Sequence, residues 1–289
     1  MAFEIEYNAI VNYSPEEGET VIIIPDGVDA IEESVFANCN NIVSVFFPET
    51  IGFIGWSAFE ECANLQKVIF SQNTKRLMIT DFAFMNCKNL KECILPECEE
   101  LEITPTAFGG CASLESFMFD NALYLGSENN PVYALMSSVN NDIHEVTLHE
   151  DTKIIANYAF RGCEELTEVK IPKGVKMIGK SAFQFCRSLK DLIVPEGVRV
   201  IGERAFDGCY GLETIELPSS LKRIEESAFN LAGYESVLDF DNMMFGSYIG
   251  VGDKIESSLK KVNYNGTNEQ FDQMEIEDGN DILKERFGA

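Results

Sequence analysis

The sequence predicts a β-rich solenoid: about ten stacked coils of roughly 23 residues, built on short parallel strands. Two observations predict it. A block Ala-Phe-x-x-Cys-x-x-Leu recurs along the chain, and its phenylalanines sit 23, 25, 24, 52, 23, 23 and 23 residues apart. Between the blocks, apolar and polar residues alternate with the period of a half-buried strand. A coil of this length cannot bury its apolar face alone, so each depends on its neighbours.

Residues 1–20 precede the regular pattern and are expected to cover the open end of the first coil. The repeats occupy residues 21–256, and the whole chain of 289 residues reads as one elongated domain. The blocks begin at Val35-Phe36 with Cys39, then Ala58-Phe59 with Cys62, Ala83-Phe84 with Cys87 and Ala107-Phe108 with Cys111. They resume at Ala159-Phe160 with Cys163, Ala182-Phe183 with Cys186 and Ala205-Phe206 with Cys209, and fade at Ala228-Phe229 with Ala232. The most complete unit runs from Ile171-Pro172 to Val194-Pro195. Its Leu189-x-x-Leu192-x-Val194 stretch is a strand, and the following proline closes it because proline cannot donate to a ladder. A Gly-Val pair turns the chain, and the run Val-x-x-Ile-Gly-x-x-Ala-Phe returns it on the other side.

The 52-residue gap holds one irregular coil near residues 120–158. Val146-x-Leu148 and Ile154-Ile155 reproduce its strand and return run, and Ala134-Leu135 is expected to replace the missing Ala-Phe. The stretch from Leu123 to Pro131 is rich in turn formers and is expected to bulge from the stack. Residues 257–289, with Leu259-x-x-Val262-x-Tyr264 as a last strand, are expected to cover the far end.

The copies Pro25-x-Gly27-Val28-x-x-Ile31 and Pro195-x-Gly197-Val198-x-x-Ile201-Gly202 resemble the BspA-like subgroup of bacterial leucine-rich repeat proteins. The irregular segment Asn130-Pro131-Val132-Tyr133 and the tail Tyr264-Asn265-Gly266-Thr267-x-x-x-Phe271 are similar to members too, with Phe271 where relatives often carry tryptophan. The resemblance implies a right-handed leucine-rich repeat superhelix of the α/β horseshoe class and a role in binding proteins or cell surfaces. Members often carry an export signal. The acidic start Met1-Ala-Phe-Glu-Ile-Glu lacks the basic and apolar regions of one, so the sequence points to a cytoplasmic location. A surface or secreted location follows if a signal was removed.

The net charge of −26 and pI near 4.3 exclude a basic footprint for nucleic acid or anionic membrane. No run reaches the ~18 apolar residues of a membrane helix. Residues 1–66 contain no Lys or Arg, which leaves their acidic residues as a solubilising face or a steering field for a basic partner. Seven of the nine cysteines share one repeat position, as small inward residues would. Adjacent coils bring their Cα atoms into disulfide range, although a regular ladder needs no disulfide. Cys98, in the acidic turn after Pro96, is expected to be the exposed thiol.

Catalytic signals are weak. Gly174-x4-Gly179-Lys180-Ser181 matches the phosphate-binding loop pattern, but both glycines recur as Gly197 and Gly202, so the match is a by-product of the repeat. His144 and His149, with nearby carboxylates, form the alternative reading: a metal-binding or metal-dependent site in the irregular coil. No catalytic residue, metal ligand set or cofactor is assigned. The Asn265-Gly266-Thr267 sequon coincides with the closing turn.

Strand parity supplies the candidate site. If the inward positions face the core, Phe46, Ile69, Ile94 and Met118 face solvent in register, with Ser44, Lys67, Glu92 and Ser116 beside them. The later coils place Thr147, Lys170, Ile193 and Glu216 there. An apolar stripe of this kind marks a protein contact, unless the N-terminal arm or a loop covers it. The sequence thus points to a non-enzymatic scaffold or adhesin-like protein that recognises a protein partner through its strand face.

Overall fold

The computed structural model describes residues 2–98, 100–114, 116–231, 233–238, 248–255 and 257–287. Ala232 lies outside them. The chain is a β-solenoid of parallel strands, as the period requires. Front strands such as Ser44–Phe47, Lys67–Phe70 and Glu92–Ile94 pair in parallel through Val45↔Val68↔Cys93. Two-residue return strands, such as Phe53–Ile54 and Val200–Ile201, form the second ladder.

The Ala-Phe block makes a third ladder. Phe59 N–H donates to Ala83 O at 2.7 Å and Phe183 N–H to Ala205 O at 2.8 Å. Backbone polar groups are thereby satisfied on all three sides of the coil. The phenyl rings stack nearly parallel: Phe36–Phe59 at 4.6 Å, Phe84–Phe108 at 5.3 Å and Phe183–Phe206 at 5.2 Å between centroids. The cysteines fill the next layer. Cys62, Cys87, Cys111, Cys186 and Cys209 each direct Sγ to a phenylalanine carbonyl of the preceding coil, at 3.0–3.3 Å. All nine thiols are free.

The sharp arch around six of the eight phenylalanines, Phe108 and Phe229 excepted, has two left-handed residues, one two places before the ring and one two places after. They include Ser57 and Glu61 around Phe59, Tyr158 and Gly162 around Phe160, and Arg204 and Gly208 around Phe206. Glycine adopts this region freely, while a non-glycine residue there costs roughly 1–2 kcal/mol. The stacked ladder on either side holds the strained residues in place.

Buried residues fall into two clusters. One contains Phe36, Phe59, Phe84 and Phe108; the other contains Phe160, Phe183, Phe206 and Phe229. They meet where the strand Glu100–Ile103 ends the first stack: Met177 and Val200 join the first cluster, and Ile178 and Ile201 the second. Beside this contact, Glu100 shares a cleft with Arg199, Lys222 and Arg223. Burial, followed by the charge of Glu225, raises the pKa of Glu102 on the same strand.

The irregular coil departs from expectation. Ala134-Leu135 does not replace the Ala-Phe block; it pairs with Ile154-Ile155 as a return strand. Ser138 takes the phenylalanine position and donates its N–H to Ala159 O at 2.8 Å. The cause is an antiparallel hairpin, Phe117–Phe119 with Ala122–Leu125, which joins the return sheet ahead of Ala134–Ser138 and shifts the register.

Each end of the ladder is closed by side chains. Tyr13, from the hairpin Ala2–Glu6 and Ala9–Ser14, packs on Phe36 at 4.8 Å. At the other end, Asn280 Oδ1 accepts the Phe229 N–H at 2.9 Å, standing in for the alanine carbonyl of a further coil. Between these, Lys261–Tyr264 adds the last front strand, and the helix Asn268–Gln273 carries a capping box between Thr267 and Gln270.

Candidate functional site on the front face of the first stack

The first four front strands present an uninterrupted outer row. Ile23, Phe46, Ile69 and Ile94 are direct cross-strand partners, and the residues beside them, Ile22, Val45, Val68 and Cys93, are buried. Ile23 is 61% exposed, while Phe46, Ile69 and Ile94 are half-buried. A parallel row of Val21, Ser44, Lys67 and Glu92 flanks it, with Lys67 Nζ 2.7 Å from Glu92 Oε2. In the second stack the equivalent row is Thr147, Lys170, Ile193, Glu216 and Asn263; the pairs Thr147↔Lys170 and Ile193↔Glu216↔Asn263 are direct, and all but Ile193 are polar. The same inner architecture therefore carries an apolar outer surface only on its first stack.

Met118 is a correction. Its strand pairs antiparallel with Ala122–Leu125, opposite Leu123, and has no register with Ile94. The fourth member of the row is Ile23 instead, at the other end. The signal for it was present: Val21-Ile22-Ile23 ends two residues before Pro25, as Ser44-Val45-Phe46 ends two residues before Pro48.

The remaining candidates separate. Lys180 Nζ is 2.6 Å from Glu203, and its N–H donates to Asn157 Oδ1 at 2.9 Å. A turn, not a helix, follows Ser181, and a Cβ on Gly179 would lie 2.7 Å from Asn157 N, so close coil packing requires this glycine. His144 Nε2 lies 3.4 Å from Glu165, while His149 Nδ1 accepts the Asp151 N–H at 3.2 Å and its ring meets the edges of Phe117 and Phe119. The two histidines thus have separate surroundings. Among the described residues, no three His, Cys, Asp or Glu side chains gather in a metal-binding group.

Cys98 is also corrected: it is buried, with Sγ directed at Glu100 O, and burial pushes its pKa up to about 12. Tyr133, from the irregular coil, closes over this turn and donates its hydroxyl to Cys98 O at 2.7 Å. No described helix is long and apolar enough to cross a membrane.

Parallel front and return ladders with a repeated inner row define a leucine-rich repeat protein. The BspA type leucine rich repeat region matches residues 16–129 and 136–246 in 6 copies, and the chain belongs to that family. No curated protein matches it. Among solved structures, a leucine rich cell surface protein from Faecalibacterium prausnitzii is similar at 21% identity and a TM-score of 0.37, over 94% of this chain and 95% of that one. A leucine-rich repeat protein from Bacteroides ovatus is similar at 22% identity and a TM-score of 0.34, over 96% of this chain and 65% of that one. The T. pallidum leucine rich repeat protein is similar at 23% identity and a TM-score of 0.37, over 73% of this chain and 87% of that one.

Proposed function

We propose that this protein is a non-enzymatic binding module that engages a protein partner through the front face of its first stack. The row Ile23, Phe46, Ile69 and Ile94 carries the reading: four large apolar side chains in register on a solvent-facing sheet surface. Nothing in the fold needs them there, because the inward rows already supply the core. Membership of a repeat family supports the same use of the surface. The absence of Lys and Arg from residues 1–66 favours a partner with a basic rim around an apolar centre. The free-thiol ladder supports a reducing, cytoplasmic setting, which fractionation of the source cells tests.

The test is the double variant Ile23→Glu, Ile69→Glu. Charge placed where water already reaches costs the fold little, whereas an unpaired charge in the core costs several kcal/mol. We expect a melting temperature close to that of the parent and loss of partner capture in a pull-down. A collapse of the melting transition, or undiminished capture, refutes the assignment.

A further inference from the structure

We propose that the strand Phe117–Phe119 is a second docking site, where an extended cationic segment of another protein adds to the sheet as a further strand. Among the described residues, the strand ends the eight-stranded return sheet and pairs only with Ala122–Leu125. Asp120 and Asn121, both at positive φ (43° and 61°), form the two-residue loop between them. A loop of this kind places Phe119 and Ala122 in a hydrogen-bonded pair and Met118 and Leu123 in a non-bonded one. The N–H and C=O of Met118 therefore point outward from the sheet edge.

Natural edges are blunted by lysine, proline or a bulge; Phe117, Met118 and Phe119 carry none of these and are 43%, 65% and 37% exposed. Beside them opens a largely apolar cleft of about 210 Å³, lined by Phe108, Leu114, Ser116, Leu123 and Met136. It lies where Ser138 replaces a phenylalanine and the ring stack stops at Phe108, so the break in the repeat creates both the cleft and the free edge.

Charge selects the occupant. Residues 92–152 contain twelve carboxylates and no Lys or Arg. Asp120 accepts the Thr147 N–H at 2.7 Å, and Lys170, opposite Thr147 in the next strand, is held by Glu168 at 3.2 Å. A second copy of this chain would bring the same acidic surface against itself, whereas an extended segment alternating apolar residues with lysine or arginine matches both surface and charge.

The test titrates fluorescein-labelled Lys-Val-Lys-Val-Lys-Val-Lys into the full chain, followed by fluorescence anisotropy. Its glutamate counterpart and a form N-methylated at alternate residues are titrated beside it. We expect saturable binding of the lysine peptide and at least tenfold weaker binding of both controls. Met118→Pro, which deletes the outward N–H, and Met118→Lys, which repels the cationic strand, should each weaken binding at least tenfold. Parent-like melting of either variant keeps the comparison valid. Ile69→Glu should leave this affinity within twofold, which separates the site from the front-face row. Equal binding of the N-methylated peptide shows a diffuse charge effect and overturns the proposal. So do unchanged affinity in the Met118 variants, self-association through this edge, or no binding at millimolar peptide.

Discussion

Replacing Phe183 by alanine removes an inner ring of the second stack, and its cost follows from its surroundings. Phe183 is 0% exposed and lies 5.1 Å from Phe160 and 5.2 Å from Phe206. Truncation of a buried phenylalanine costs about 3–5 kcal/mol through lost burial and the cavity left behind. Each stacked pair is worth about 0.5–1.5 kcal/mol beyond area. Two pairs are lost at Phe183, so the upper part of the range applies, about 4–5 kcal/mol. Phe108 is 9% exposed and has one stacking partner, Phe84, so Phe108→Ala should cost less, about 3 kcal/mol. Urea denaturation of the parent and both variants reads the difference as shifts of the midpoint at constant slope. A double-mutant cycle with Phe206→Ala isolates the pair and should return about 0.5–1.5 kcal/mol of coupling. A loss below about 1 kcal/mol at Phe183, or one no larger than at Phe108, refutes the stacked-ladder argument.

Asn280→Ala should cost about 1–3 kcal/mol in the same assay, since it leaves the buried Phe229 N–H without an acceptor; Asn280→Asp, which keeps the oxygen, should restore part of it. Stability should fall at alkaline pH. Burial raises the pKa of Cys98 from 9.0 to about 12 and that of Cys39 to about 11, so the unfolded chain loses these protons first. Their contribution is complete below about pH 9 and is lost as pH rises through the folded values, which urea midpoints measured from pH 7 to 10.5 should follow downward. Lys180→Ala should change stability little, because its bond to Glu203 is a partly exposed surface pair, and calorimetric titration with Mg-ATP should give no heat of binding.

The coil was legible because its inward residues repeat in type as well as in spacing. Phe59, Cys62 and Leu65 are all fully buried, and so are Phe206, Cys209 and Leu212, their counterparts two sheets away. The outer row was legible from parity while the strands stayed parallel, which is why Phe46, Ile69 and Ile94 fall in register. Parity failed at Met118 because its strand joins the return sheet through the Asp120-Asn121 hairpin instead of continuing the front ladder, and nothing in an alternating pattern records which sheet a strand joins. It failed at Ala134-Leu135 because the hairpin inserts strands into the return sheet, so counting forward from Phe108 gives the wrong register. Cys98 escaped for another reason: its turn is acidic and looks wet, but Tyr133 covers it from a coil that regular spacing does not reach. The left-handed residues were illegible as a class. Ser57, Phe82, Tyr158 and Arg204 hold the same backbone position with unrelated side chains, because stacking imposes the conformation.

The irregular coil is therefore more than a lapse in the repeat. A regular solenoid leaves sheet edges only at its two ends, and here Tyr13 and Asn280 help to close those ends. An interior edge requires a coil that breaks register, and the Phe117–Phe119 hairpin supplies one between the two core clusters. The break has a structural cost: Ser138 puts no ring between Phe108 and Phe160, and Cys163 directs Sγ to the Ser138 hydroxyl at 3.7 Å instead of to a phenylalanine carbonyl. Restoring the regular residue tests whether that cost is local. Ser138→Phe supplies the missing ring beside Phe160. If the position accepts it, the melting temperature rises and the ring stack extends by one. The coil was shaped around serine, however, and the cleft beside it is lined by Phe108 and Met136. Overpacking typically costs about 1–3 kcal/mol, while the gain from one stacked pair is about 0.5–1.5 kcal/mol. The balance predicts a net loss of stability, read as a lower urea midpoint, together with filling of the cleft. A stabilised Ser138→Phe variant would show that the coil is a relaxed vacancy in the ladder and not a register of its own.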